Sequence, residues 1–329
     1  MVGVVWERAL LLDMYRTMLT IRLCEESFVP FILGGTIRCP VHLYTGQEAV
    51  ATGLCKTLRE TDYVFGNHRS HGHFLAKGGS LMELVAEVYC RETGCSRGRG
   101  GSMHLLDVGR GMLGSAPIVA GTISLALGAA LAAKIRRDKR VVVSFFGDGA
   151  AGEGVLYEAM NFAAVTQLPI IFACENNLYS THMPISEIRM STQISDVAGA
   201  FKIPSYVIDG NDLVAVYKAS VDVVAACRAG GGPAFMEFLT YRMRGHVGPN
   251  DNIQGTQTDI RPAEEIAKWQ ARDPIPRFEA FVLDGDWAKS EDIAAIRDIV
   301  AHEVGEAHRF AAASPRPLES EIGKYVFHG

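Results

Sequence analysis

The sequence predicts a doubly wound, mostly parallel α/β sheet with helices on both faces and helical extensions at both ends. Two observations carry this. Four short apolar runs, at 140–146, 169–174, 205–209 and 234–239, are rich in β-branched and aromatic residues, as strands buried on both faces are. Helical stretches separate the first pair and the last pair, and such strand–helix–strand units pair in parallel through right-handed crossovers.

The elements follow in order. Over residues 1–60, Leu10, Met14, Met18 and Ile21 recur at helical spacing, and a second helix follows Gln47. This stretch reads as a helical N-terminal extension. A segment rich in His, Gly and Asn, 65–79, reads as a loop. Leu81–Tyr89 reads as a helix, and a glycine-rich stretch, 94–101, follows it. Residues 116–133 carry no charge but consist mainly of small residues, which gain little in hydrocarbon. A tightly packed internal helix is expected there rather than a membrane span. A helix is expected at about 153–166, apolar on all sides, and another at about 213–229. Residues 244–259 show no period, and a loop this long is expected to be a lid. The α/β part is placed at 61–260, and 261–329 reads as a helical, polar tail, all within one structural domain.

Composition narrows the function. Of 329 residues, 48% are hydrophobic and 21% charged, which excludes a disordered or low-complexity chain. The net charge of −5, with no block of like charge beyond the short 136–140 run, argues against the basic face of a nucleic-acid binder. The seven cysteines form no Cys-x-x-Cys pair. They read as reduced thiols of a cytoplasmic protein, and residues 1–15 lack the pattern of a signal peptide.

Asp148 and Asn177 carry the chemistry. Each directly follows an apolar strand, and the strands are joined by one helix. In a doubly wound sheet both side chains reach the crevice at the strands' carboxyl ends. A carboxylate and an amide oxygen are hard donors suited to Mg²⁺. Gly147 and Gly149 let backbone approach a phosphate, and the next helix begins with free N–H groups. A lone Gly-Asp-Gly would be read as a turn. The pair, each member behind its own strand, points to Mg²⁺ with a diphosphate.

These residues carry a resemblance. Gly147-Asp148-Gly149, followed about thirty residues later by Glu175-Asn176-Asn177-x-Tyr179, resembles the thiamine diphosphate motif. His42-Leu-Tyr-x-Gly-Gln-Glu-Ala49, Arg69-x-His71-Gly72, Gly98-x-Gly-Gly-Ser-Met-His104, Tyr241-Arg242-x-x-Gly245-His246 and Trp269-x-x-Arg272-Asp273-Pro274 match in register. Over about residues 5–280 the chain resembles the α subunits of two-chain 2-oxo acid and acetoin dehydrogenases. The resemblance implies that Asp148 and Asn177 bind Mg²⁺ by side chains and Tyr179 by its carbonyl. It implies that Gly147, Gly149, Ala150, His68 and Arg69 lie against the cofactor, with Val119 on its aminopyrimidine. His42 and His71 are implied on the substrate side. His246 is implied against cofactor or substrate and in proton transfer.

A β subunit is implied to supply the glutamate that activates the cofactor, giving an α2β2 assembly, and a lipoyl-bearing acyltransferase to take the acyl group. His68, where pyruvate-branch relatives often carry Tyr, leans towards the acetoin enzymes. Val247 stands where animal pyruvate enzymes carry a phosphorylated Ser. The substrate, a 2-oxo acid or acetoin, stays open. So do a two-chain carboligase or acyl-transferring synthase and, from another class, a non-catalytic phosphate- or nucleotide-binding subunit.

Overall fold

The chain folds, in a computed structural model that describes residues 5–249, 260–321 and 323–324, around one parallel sheet. Helix α1 (Arg8–Leu33) and α2 (Glu48–Cys55) precede β1 (Tyr63–Gly66). Helices α3 (His71–Ala76) and α4 (Leu81–Val88) lead towards β2 (Met112–Ser115). Then come α5 (Gly121–Arg136), β3 (Val142–Gly147), α6 (Gly154–Thr166) and β4 (Ile170–Asn176). A small antiparallel hairpin, β5 (Tyr179–Ser180) with β6 (Met183–Pro184), is followed by short α7 (Ile185–Ile188) and α8 (Asp196–Gly199). The sheet is completed by β7 (Ser205–Asp209) and β8 (Ala234–Leu239), joined by α9 (Leu213–Arg228). Helices α10 (Ala263–Gln270), α11 (Pro274–Asp284) and α12 (Ser290–Ala313) close the chain.

The sheet order is β2-β1-β3-β4-β8-β7, and every neighbouring pair is parallel. The chain runs outward from β1 to β2, then crosses back over β1 to β3. That reversal is the switch point, and the crevice lies at the carboxyl ends of β1 and β3.

Alternation along the strands assigns the two faces. Val143, Phe145, Ile171, Ala173, Met236 and Phe238 join one core with α1, α2, α4, α9, α11 and α12. Val142, Phe146, Ile170, Phe172, Cys174 and Phe235 join the other with α5 and α6. The terminal helices pack into the first core: α12 lies along α4 and α1, and Ile275, Phe278 and Val300 are buried there.

Three expectations are corrected. The 65–79 segment is not one loop: it holds the end of β1 and all of α3, whose six residues are buried. The helix expected over 116–133 starts only at Gly121, because Pro117 sits in the turn before it, and it is not internal. Only Thr122, Ile123, Ala126, Ala130 and Ala133 are buried, while Leu125 is 60% exposed. Helix α6 likewise buries Leu156, Ala159, Met160 and Ala163 and leaves Phe162 and Val165 exposed. Of the expected lid, residues 250–259 lie outside the described residues. Among those described, no helix is long and apolar enough to cross a membrane, and all seven cysteines are free thiols.

Candidate active site

A cavity of about 370 Å³ opens at the switch point. Three strand ends build it. Asn67, His68 and Arg69 follow β1, Asp148, Gly149 and Ala150 follow β3, and Asn177 and Tyr179 follow β4. Val119, Gly147 and His246 also line it, as does His42 from the segment before α2. The structure thus brings together every candidate residue but one.

The exception is His71. Helix α3 turns its imidazole into the core, away from the cavity. Its Nδ1 faces both carboxylate oxygens of Glu25 at 3.0 and 3.1 Å, and Nε2 lies 2.8 Å from Ser102 Oγ. All three side chains are buried. They resemble a hydrolytic triad in type, but no substrate can reach the serine. Glu25 also accepts the Tyr44 backbone N–H at 3.0 Å. The group therefore ties α1, α3, the His42–Tyr44 segment and the Ser102–Met103 turn behind the cavity wall. A substrate contact by His71 is withdrawn on this geometry.

Oxygen atoms gather at the lower corner. The Asn177 amide points one terminal atom at Tyr179 O (3.1 Å) and at Asp148 Oδ2 (3.3 Å), and its other at Gln47 Oε1 (3.0 Å). With Oδ1 inward, the amide places no hydrogen between its oxygen, Tyr179 O and Asp148 Oδ2, as hard-cation ligands are arranged, and the Tyr179 N–H lies against the two side-chain oxygens at 3.4 and 3.1 Å. With Nδ2 inward the amide donates to both oxygens and no ion is needed. Gln47 must then turn as well, since its Oε1 would otherwise face the Asn177 oxygen; the turn also gives its buried, unpartnered Nε2 that oxygen as an acceptor. The amide can thus follow the metal. Asp148 accepts N–H groups from Gly149 (2.6 Å) and Tyr179 (3.1 Å). Burial nevertheless lifts its pKa to about 6, against those bonds and the Arg242 charge. A buried carboxylate in this condition is short of positive charge, so the donor set fits Mg²⁺. Gly149 packs closely here: a Cβ would lie 2.5 Å from Ser180 Oγ, so the Ser180 side chain would have to turn. Residues 148–152 form a single 3-10 turn before α6 begins at Gly154.

Two arginines supply positive potential. Arg69 is pinned by its own fork, with Nη1 donating to Leu43 O (2.7 Å) and Nη2 to His246 O (3.0 Å). Arg242, from the segment after β8, is buried on the cavity wall and donates to Thr181 O at 2.8 Å. Three imidazoles crowd the opposite end. His42, His68 and His246 have ring centroids 4.7–5.5 Å apart. Burial, then the charge of Arg69, pushes their pKa values down, to about 3 for His42 and about 2 for His68 and His246. All three are neutral hydrogen-bonding groups at neutral pH. His42 Nδ1 is buried without a partner.

Among the wall residues that sequence reasoning gave no role are Gln47, Asn67, Glu175 and Arg242. Gln47, Asn67 and Arg242 had a usable signal: Asn67 and Arg242 directly or nearly follow strands, at the carboxyl edge where ligands bind. Glu175 had none. Its side chain sits in the floor, bonded to Tyr44 Oη and to His73 Nε2 (3.1 Å), with His73 in turn 3.1 Å from Ser70 Oγ.

The glycine-rich 94–101 stretch does not cradle a phosphate. Its N–H groups go to the buried carboxylate of Glu87, which accepts from Ser96, Gly98 and Gly100 at 2.8 Å and from Gly101 at 3.0 Å. The loop is folded around a side chain of α4 and delivers Met103 to the cavity.

Comparison with known proteins agrees with this architecture. The family model described as dehydrogenase E1 component matches residues 15–319. The chain is 38% identical over 312 residues to the acetoin:2,6-dichlorophenolindophenol oxidoreductase α subunit of Bacillus subtilis, covering 94% of this chain and 91% of that one. It is 37% identical over 324 residues to the pyruvate dehydrogenase E1 component α subunit of Porphyra purpurea (96% and 92%), and 38% identical over 312 residues to that of Rhizobium meliloti (94% and 88%). With three quarters or more of each chain aligned and the strand-end residues gathered in one cavity, the protein belongs to the dehydrogenase E1 component family.

Proposed function

We propose that this chain is the α subunit of a thiamine diphosphate-dependent dehydrogenase that cleaves a 2-oxo acid or acetoin and delivers the acyl group to a lipoyl-bearing partner. The family is thiamine diphosphate-dependent, with Mg²⁺ as its usual metal. The observation that carries the reading is the oxygen cluster of Asp148, Asn177 and Tyr179 facing a cavity that also holds Arg69 and Arg242.

In this reading Asp148, Asn177 and the Tyr179 carbonyl hold Mg²⁺. Gly147, Gly149, Ala150, Arg69 and His68 lie against the diphosphate end, and Arg242 adds charge to it. When bound, the cofactor supplies a thiazolium carbon that adds to a carbonyl and then stores the electron pair released by cleavage. His42 and His246 act as neutral donors or acceptors to the substrate oxygens. An anion bound at Arg69 offsets the repulsion on these imidazoles and raises their pKa towards the range where they carry protons.

Val119 supports completion of the site by a second subunit. It lines the cavity yet is 50% exposed, and its neighbour Ile118 is 71% exposed. The cavity wall is open where α5 begins. A β subunit seated there would close it and bring the activating glutamate, in an α2β2 assembly, as the α-subunit names of the relatives imply. A cytoplasmic location belongs to the same proposal.

The test is turnover by the chain co-purified with its β partner, with Mg²⁺, thiamine diphosphate and an artificial electron acceptor, against pyruvate, branched 2-oxo acids and acetoin. Acceptor reduction with one of them is expected, and none from the isolated chain. Cofactor binding without any acceptor reduction would overturn the dehydrogenase reading in favour of the carboligase.

A further inference from the structure

Three imidazoles meet at one end of the cavity, and no two of them stack. The His42 ring stands at 69° to His68 and at 78° to His246, with centroids 4.7 and 5.1 Å apart. His68 and His246 lie 5.5 Å apart at 58°. One ring nitrogen of each lies within 4.8 Å of a ring nitrogen of both others.

The backbone holds the rings there. Val41 O accepts the Gly248 N–H at 2.7 Å. Arg69, next to His68, donates to Leu43 O at 2.7 Å and to His246 O at 3.0 Å. The residues on both sides of His42 are therefore tied to the segments that carry the other two rings. His42 lines the cavity and is only 8% exposed, and its Nδ1 has no hydrogen-bond partner. A buried polar atom in that state points to a group the chain itself does not supply.

We propose that His42, His68 and His246 form a second metal site, for Zn²⁺. Donor chemistry separates it from the first. Imidazole nitrogen suits Zn²⁺, whereas Mg²⁺ takes oxygen. Asp148, Asn177 and Tyr179 offer oxygens and the three histidines offer nitrogens, so one cavity sorts two cations. Three histidines leave the fourth position of a tetrahedral zinc to water. Nitrogens on one such ion lie about 3.4 Å apart, so each ring has to move by less than about 1 Å from its place here. Side-chain rotation supplies that while the backbone stays pinned.

Charge sets the conditions. Arg69 Nη2 comes within 3.5 Å of His246 Nδ1, and Arg242 also lines the cavity. Both oppose a cation. A diphosphate bound at Arg69 offsets them, so zinc binds the cofactor-loaded assembly more tightly than the bare one. The site stands on the histidine geometry. Its effect on turnover rests on the function proposed above: zinc takes the nitrogens that His42 and His246 would offer to substrate, and so inhibits.

The test uses the chain with its β partner, loaded with Mg²⁺ and thiamine diphosphate. Cobalt(II) is added as a coloured stand-in for zinc, and zinc affinity is read by calorimetry with Mg²⁺ kept in excess. One cobalt per α chain is expected, with the intense visible bands of a tetrahedral ion and without the near-ultraviolet band of thiolate ligation. Nitrogen shifts of labelled histidine should move for three residues on zinc addition, a reading that needs no substitution. His68→Asn and His246→Asn should each lose the tetrahedral spectrum and weaken zinc by more than about a hundredfold, beyond what loss of an outer partner costs; melting temperature reports the fold of each. Zinc should slow acceptor reduction by the wild type, and a chelator should restore it. No zinc bound, an octahedral or thiolate-ligated cobalt, unchanged zinc affinity in both variants, or bound zinc without inhibition of an active assembly would overturn the proposal. An assembly that binds zinc at the three histidines yet reduces no acceptor even without zinc would support the site and count against the proposed function instead.

Discussion

Asp148 Oδ2 and the Asn177 side-chain amide meet at 3.3 Å across the ends of two adjacent parallel strands, 29 residues apart in the chain. The contact follows from register. Gly147 pairs with Glu175, so the next residue of β3 and the second residue on from that pairing in β4 leave the sheet side by side. The strands' apolar residues fix the sheet, and the sheet fixes the donor pair.

The Asp148 carboxyl, raised by burial to about 6, makes metal-dependent binding sensitive to pH. The metal needs the ionised form. Above pH 6 the group is already ionised, and affinity is flat. Below it a proton must leave first, and affinity falls about tenfold per pH unit. Calorimetric titration of thiamine diphosphate with Mg²⁺ at pH 5 and pH 7 should show affinity about tenfold weaker at the lower pH, with proton release on binding. Equal affinity at both would show that Asp148 is not a ligand.

The three cavity imidazoles are expected not to titrate between pH 5 and 8 in the cofactor-free chain, since burial and Arg69 hold them at about 2 to 3. Nitrogen chemical shifts of labelled histidine report this directly. Arg69→Gln removes one of the repelling charges, so all three should move up. Arg69→Lys keeps the charge but loses the fork across Leu43 O and His246 O; it should leave the imidazoles low and weaken the diphosphate grip about tenfold or more.

Glu87→Gln should destabilise the protein. The carboxylate accepts four N–H groups, and an amide presents hydrogens to two of them. Unmade bonds to a buried charged acceptor cost on the order of 2–4 kcal/mol, a fall of several degrees in melting temperature at this chain length. Calorimetry of the variant checks it. A melting point equal to wild type would show that the loop stands without the carboxylate.

The central chemistry was legible because β3 and β4, of six and seven residues, are continuous apolar runs with Asp148 and Asn177 directly behind them. The flanking strands were not. Tyr63–Gly66 and Met112–Ser115 have four residues each, too few to show a period, and a glycine ends one and interrupts the other. His71 shows the limit of a motif: the spacing Arg69-x-His71 does not say that α3 begins at His71 and turns its side chain inward. The exposed flanks of α5 and α6 were read as core because Leu125 and Phe162 are apolar, and composition does not distinguish a face packed within the chain from one left on its surface. Glu87 escaped notice because its partners are backbone N–H groups, which carry no side-chain signature.

The measurement that bears most directly on the central claim is thiamine diphosphate binding to wild type and Asp148→Ala, by calorimetry, with and without Mg²⁺. If the strand-end oxygens hold the metal that holds the diphosphate, wild type should bind only with Mg²⁺, and the variant should lose at least about a hundredfold in affinity while keeping its fold. Wild-type affinity in Asp148→Ala, or binding indifferent to Mg²⁺, would contradict the account.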